Sequence, residues 1–154
     1  MSHSSLQNKD YFLQQLTYID ENIKELTNLY ESSVPVQERI KHFFNLYVME
    51  VEDLLQNQSI NQMLANPKVL IGTKVTVLYD EDDETEEYVV CYPEQSDPDR
   101  SYISFLSPVG RQLLFKKIGE NISLKIPTGE LSVTIKDISF VCDALEVESK
   151  TKEA

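Results

Sequence analysis

SFLSPVGRQLLFKKIGE, residues 104–120, is a tightly punctuated stretch. A strand-like opening runs into Ser107-Pro108, a short apolar and basic turn of helix is expected over 109–115, and Gly119-Glu120 closes it. Proline suits the first turn of a helix and not its interior, so the Ser-Pro step reads as a strand-to-helix corner. The sequence on both sides has β texture. TKVTVLYD and EEYVVCYP flank the acidic turn EDDET and read as a hairpin. SYISFLS, ENISLKIP and ELSVTIKDISFV supply three more strands, with Thr128-Gly129 as a tight-turn signal between the last two. Five strands and one short helix describe a small α+β domain over 72–142, followed by a charged tail, 143–154, that is expected to fray.

Upstream the texture changes to helix. Phe12, Leu16, Ile19, Ile23, Leu26 and Tyr30 form a seam at alternating spacings of four and three, with charged and amide residues between them. Ile40, Phe44, Tyr47, Val51 and Leu54 form a second seam. ESSVPVQE separates the two, with Ser33 as a candidate N-cap and Pro35 in the first turn of the second helix. Each stripe needs a cover, and a short connection makes the other stripe the natural one. An antiparallel helical hairpin, a short coiled coil, is therefore expected over 6–57. QNQSINQMLANPKVL breaks the pattern, so 58–71 reads as a linker with one helical turn at 59–65.

Composition narrows the function classes. The chain has 154 residues and a formal net charge of −12, which argues against nonspecific binding to duplex DNA or anionic lipid. No apolar run approaches the roughly 20 residues a membrane span needs. MSHSSLQNKDYF lacks the basic start and apolar core of a secretory signal, so a cytoplasmic location is expected. Cys91 and Cys142 form no C-x-x-C pair; reduced core thiols are favoured over a disulfide.

Catalytic chemistry finds little footing. His3 belongs to a terminus expected to be disordered, and His42 lies beside Lys41 on the second helix; neither can be paired with a cysteine. The four glycines form no phosphate loop, and no cysteine-histidine metal set is present. Catalytic residues, metal and cofactor are all read as none. DEDDETEE, residues 80–87, packs seven carboxylates into eight positions but lacks the glycine and closing glutamate of a calcium loop. A solvated hairpin tip that blocks edge pairing is preferred over a cation site. Glu31 and Glu38 flank the helical tip, either as solvated charges or as metal-directed acids.

SFLSPVGRQLLFKKIGE resembles the C-terminal signature of the Gre family of bacterial transcript-cleavage and elongation factors. Ser104, Ser107, Pro108, Val109, Gly110, Leu113, Leu114, Gly119 and Glu120 fit its pattern; Gln112 stands where a small residue is usual. IGTKVTVLYDEDDETEEYVV and KIPTGELSVTIKDI are similar to the first and last hairpins of the Gre C-terminal domain, so the likeness covers about 70–140. The resemblance implies an FKBP-like fold for 72–142, with a helical hairpin before it. It also implies docking on bacterial RNA polymerase at the rim of its secondary channel, through Leu106, Ser107, Pro108, Val109, Gly110 and Arg111, with the hairpin entering the channel.

Gre cleavage factors carry an Asp and a Glu three residues apart at the tip. YESSVPVQERI has no such pair, and the hairpin reads as shorter, closer to Rnk-type relatives, which YPE at 92–94 also resembles. A polymerase-binding regulator of elongation without strong cleavage is therefore expected, not itself an enzyme. Sequence-specific DNA binding and membrane association are not expected, and the oligomeric state is read as monomer or weak dimer. The alternatives are a true cleavage factor using Glu31 or Glu38, a peptidyl-prolyl isomerase suggested by fold alone, and a dimeric interaction module.

Overall fold

The computed structural model describes residues 2–57 and 65–141, which fall into two units, Met1–Ala65 and Asn66–Ala154. Cys142, the tail 143–154 and most of the helical turn expected at 59–65 lie outside the described residues.

Residues 2–57 of the first unit form three α-helices where two were expected: α1 (Ser2–Glu21), α2 (Ile23–Ser33) and α3 (Phe43–Asn57). No glycine or proline occurs before Pro35 to stop the helix, and its backbone reaches back to Ser2, including the position of His3, where disorder was expected. The break between α1 and α2 falls at Asn22. Its side-chain amide donates to the Tyr18 carbonyl at 2.8 Å, and its own N–H reaches the same oxygen at 3.0 Å. The backbone bond continues the helical ladder, and the side-chain amide adds a second donor to the same carbonyl, a back-bonding that bends helices. The seam survives at Phe12, Ile19, Leu26 and Tyr30, all buried, while Ile23, just past the break, turns outward and is 39% exposed.

The second helix also starts later than expected. Val34, ahead of Pro35, is extended, as a pre-proline residue favours, and Val36–Glu38 form a single 3₁₀ turn. Ser33 thus ends α2 instead of capping α3, and Ile40 lies outside any helix, 53% exposed. Arg39 fixes this connection. Its guanidinium donates to the Val34 carbonyl at 2.9 Å and to the Glu31 carbonyl, satisfying groups that a helix C-terminus leaves open. The Ile40 N–H donates to the Tyr30 hydroxyl at 2.8 Å, and the Tyr30 ring stacks on Phe43 at 4.6 Å. Within this unit α3 approaches α1, where the Tyr47 hydroxyl donates to Gln15 Oε1 in the buried interior.

The second unit is a five-stranded sheet in the order β3-β2-β1-β5-β4, built from β1 (Thr73–Tyr79), β2 (Glu84–Cys91), β3 (Tyr102–Ser104), β4 (Asn121–Ile126) and β5 (Gly129–Phe140). All pairings are antiparallel except β2 with β3, which is parallel. Helix α4 (Pro108–Leu113) is the short helix expected after the Ser-Pro step. Val75, Val77, Leu124, Val133 and Ile135 are buried with Phe105, Leu113 and Leu114. Removing each such side chain from water contributes about 1.5–3 kcal/mol.

Residues 66–71, read as part of the linker, belong to this unit. Val69, Leu70 and Ile71 are buried, and the Val69 backbone bonds on both sides, to the Lys116 carbonyl at 3.0 Å and from the Phe115 N–H at 2.8 Å. Three successive apolar residues ahead of Gly72 fill core space, and that outweighs the polar character of the preceding amides.

Candidate docking site

The Ser-Pro corner is built almost entirely from short polar contacts. Ser107 is the N-cap of α4: its Oγ accepts from the Gly110 N–H at 3.1 Å and donates to the Ser104 carbonyl at 2.7 Å. The Ser107 N–H reaches that carbonyl at 3.0 Å, and Ser104 Oγ accepts from the Leu106 N–H at 3.0 Å. Pro108 occupies the first helical position, where its missing N–H costs nothing. A Cβ on Gly110 would sit 2.2 Å from the Ser104 carbonyl oxygen, so the close approach of helix and strand requires glycine.

The six residues proposed from sequence do not all face outward. Pro108 is exposed; Ser107, Val109 and Arg111 are half-buried; Leu106 and Gly110 are buried. Leu106 and Gly110 shape the corner from inside, and its solvent-accessible surface is Pro108 with parts of Ser107, Val109 and Arg111.

Gln112, which departs from the signature, has a specific role. Its amide oxygen accepts from the Lys125 N–H at 2.7 Å, and its amide nitrogen donates to the Lys125 and Pro108 carbonyls at 2.8 and 2.9 Å. One side chain thereby acts as a strand partner for edge strand β4 and ties it to α4. A carboxamide in place of a small residue was the only sequence signal for this.

The tip acids lie on different elements, Glu31 in the last turns of α2 and Glu38 at the end of the 3₁₀ turn, both exposed. His42 adopts φ 61° just before α3 and, with Arg39 and Lys41, borders a cavity of about 520 Å³ whose walls include Ile23, Val36 and Ile40. Cys91 belongs to the other unit. Among the described residues no three His, Cys, Asp or Glu side chains converge as a metal site.

The acidic run spans the β1–β2 turn. Asp80, exposed like its neighbours, is nonetheless well bonded: its carboxylate accepts from Ser132 Oγ at 2.6 Å, Asn121 Nδ2 at 2.7 Å and Thr134 Oγ1 at 3.0 Å. These donors, Ser132 first, hold its carboxyl below the usual carboxylate range. Burial pushes the Tyr88 phenol upward, reinforced by its 2.6 Å hydrogen bond to Tyr79.

Burial also pushes the Cys91 thiol up to about 12, and Sγ lies 3.4 Å from the Ile103 carbonyl. Because the thiolate is the nucleophile, Cys91 is expected to resist iodoacetamide in the folded protein at mildly alkaline pH and to react fully in denaturant. Mass spectrometry of its tryptic peptide checks this; rapid native alkylation would contradict the burial.

Among the described residues no helix is long and apolar enough to cross a membrane. The family model described as "Transcription elongation factor, GreA/GreB, C-term" matches residues 64–140. The chain is 36% identical over 77 residues to transcription elongation factor GreA of Desulfovibrio desulfuricans, covering 50% of this chain and 48% of that protein. It is 34% identical over 91 residues to GreA of Chlorobaculum parvum, covering 54% and 57%. The chain thus spans about half the length of these relatives. A solved GreA/GreB structure from Nitrosomonas europaea aligns at 28% identity with a TM-score of 0.41, covering 46% of this chain and 59% of that one.

Proposed function

The chain belongs to the GreA/GreB family of transcription elongation factors, and from that premise we propose that it binds RNA polymerase in the cytoplasm as a regulator of elongation. Docking takes place at the secondary-channel rim through the Pro108 corner, and the helical unit enters the channel. The observation that carries this reading is the corner itself: an exposed proline on a turn held by Ser104, Ser107 and Gly110. A preorganised apolar point of this kind loses little freedom on binding.

Strong transcript cleavage is not part of the proposal. Coordinating a catalytic magnesium takes several close oxygen ligands. The tip lacks an Asp-x-x-Glu pair, and Glu31 and Glu38 sit on separate elements. The chain acts as a partner of the polymerase, in the manner of Rnk-type relatives, and catalyses no reaction of its own.

Pro108→Glu is the discriminating variant. A carboxylate is favourable in the first turn of a helix, so α4 is retained while the apolar contact gains a charge. Binding to purified bacterial core polymerase is expected to weaken by roughly tenfold or more, with an unchanged melting temperature. Wild-type affinity in this variant would overturn the docking assignment. Stalled elongation complexes should release no 3′ fragments above the polymerase-only rate; fragments that vanish with Glu38→Ala would replace this reading with that of a cleavage factor.

A further inference from the structure

The loop that follows α4 carries a combination of features that the corner does not explain. Phe115 adopts φ 71°, a left-handed conformation that a bulky side chain holds only when its surroundings impose it. The surroundings do impose it. The Phe115 N–H donates to the Val69 carbonyl at 2.8 Å, Lys117 N–H to Glu120 Oε1 at 2.9 Å, Glu120 N–H to the Lys117 carbonyl at 3.1 Å, and Gly119 N–H to the Ile135 carbonyl at 2.7 Å. The loop is rigid, and on it Lys117 and Ile118 are exposed, Ile118 by 46%.

Its charge is also out of character. Lys117 lies opposite Lys68 across an antiparallel bridge, with Lys116 adjacent, in a chain of formal net charge −12. Like charges placed directly opposite are destabilising within the fold itself. Rigidity, a local excess of lysine and an exposed isoleucine together describe a contact surface. Pro108 opens α4 and this loop follows its close, so the two lie at opposite ends of one six-residue helix, on the order of 9 Å long.

The geometry points to a second docking element: Lys116, Lys117 and Ile118 engage an acidic protein surface with an apolar recess, adjoining the surface that receives Pro108. A protein surface is favoured over nucleic acid because Ile118, exposed beside the two lysines, needs an apolar counterpart. The assignment rests on the polymerase-docking reading and gives the chemistry of the partner's adjoining surface.

The test measures binding of the full chain to core polymerase at low and high salt for Lys116→Glu/Lys117→Glu, Ile118→Ser, and Lys136→Glu as a charge control on β5. The double variant is expected to bind roughly tenfold more weakly and to lose most of the salt dependence, with Ile118→Ser weaker by about fivefold. Lys136→Glu should stay within about twofold. The melting temperature of each variant should stay close to that of wild type, as for exposed surface positions, and this separates lost contact from lost fold. If the double variant and Ile118→Ser both bind like wild type while Pro108→Glu does not, this element is refuted and the corner stands. If wild type fails to bind polymerase, both fall. Salt-dependent binding of a single-stranded RNA oligonucleotide that the double variant abolishes would overturn the protein-surface assignment in favour of phosphate.

Discussion

Gly110→Ala will lower the stability of the β unit by about 3 kcal/mol, at the upper end of what overpacking usually costs. The added Cβ would meet the Ser104 carbonyl oxygen at 2.2 Å, far inside contact distance. That oxygen cannot simply retreat, because it accepts from both the N–H and the Oγ of Ser107, and Ser104 Oγ also holds the Leu106 N–H. Moving α4 away instead would pull buried Leu113 and Leu114 from the core and stretch the Gln112 bridge to Lys125. For a unit of this size the loss corresponds to a fall in melting temperature of roughly 15 °C. Thermal circular dichroism measures it, and amide exchange in β1 and β5 assigns it to the β unit. Gly110→Val should unfold the unit outright. A Gly110→Ala protein with wild-type stability would show that the corner is looser than these contacts require.

The same corner shows what the sequence discloses and what it leaves out. Ser107, Pro108 and Gly110 are legible because each is a residue type with few other reasons to stand where it does: a cap, a first-turn proline, a glycine against backbone. Which of them faces outward is a tertiary matter, and Leu106 and Gly110 point into the corner. The strands were readable from alternation and turn residues, but the parallel pairing of β3 was not. It depends on how the 3₁₀ turns Pro93–Gln95 and Pro98–Arg100 steer the chain between β2 and β3. In the helical half the apolar spacing runs unbroken through Asn22 and back to Ile40, because periodicity registers faces and not chain breaks. The amide of Asn22 and the guanidinium of Arg39 decide those boundaries through backbone bonds that no spacing rule reveals. Phe115 was hidden for the opposite reason, since its residue type argues against the backbone it adopts.

Gln15 was hidden too, as a polar residue beside an apolar stripe, and it supports the second large effect. Gln15 is 1% exposed and Tyr47 is fully buried, and the phenol donates to the Gln15 amide oxygen. Tyr47→Phe removes that donor without changing the shape of the core, so a buried acceptor loses a partner in a region water does not reach. The expected cost is about 2 kcal/mol to the helical unit, most of it desolvation that is no longer compensated. Gln15→Leu should destabilise comparably, because it removes the acceptor of the phenol's hydrogen bond. The double variant, Gln15→Leu with Tyr47→Phe, removes both polar groups and should recover at least half of the summed loss. That yields a coupling of roughly 1–2 kcal/mol in a double-mutant cycle followed by far-UV circular dichroism in urea. Strict additivity of the two single changes would mean that the groups do not depend on each other. The approach of α3 to α1 would then rest on Phe12, Ile19, Val51 and their apolar neighbours alone.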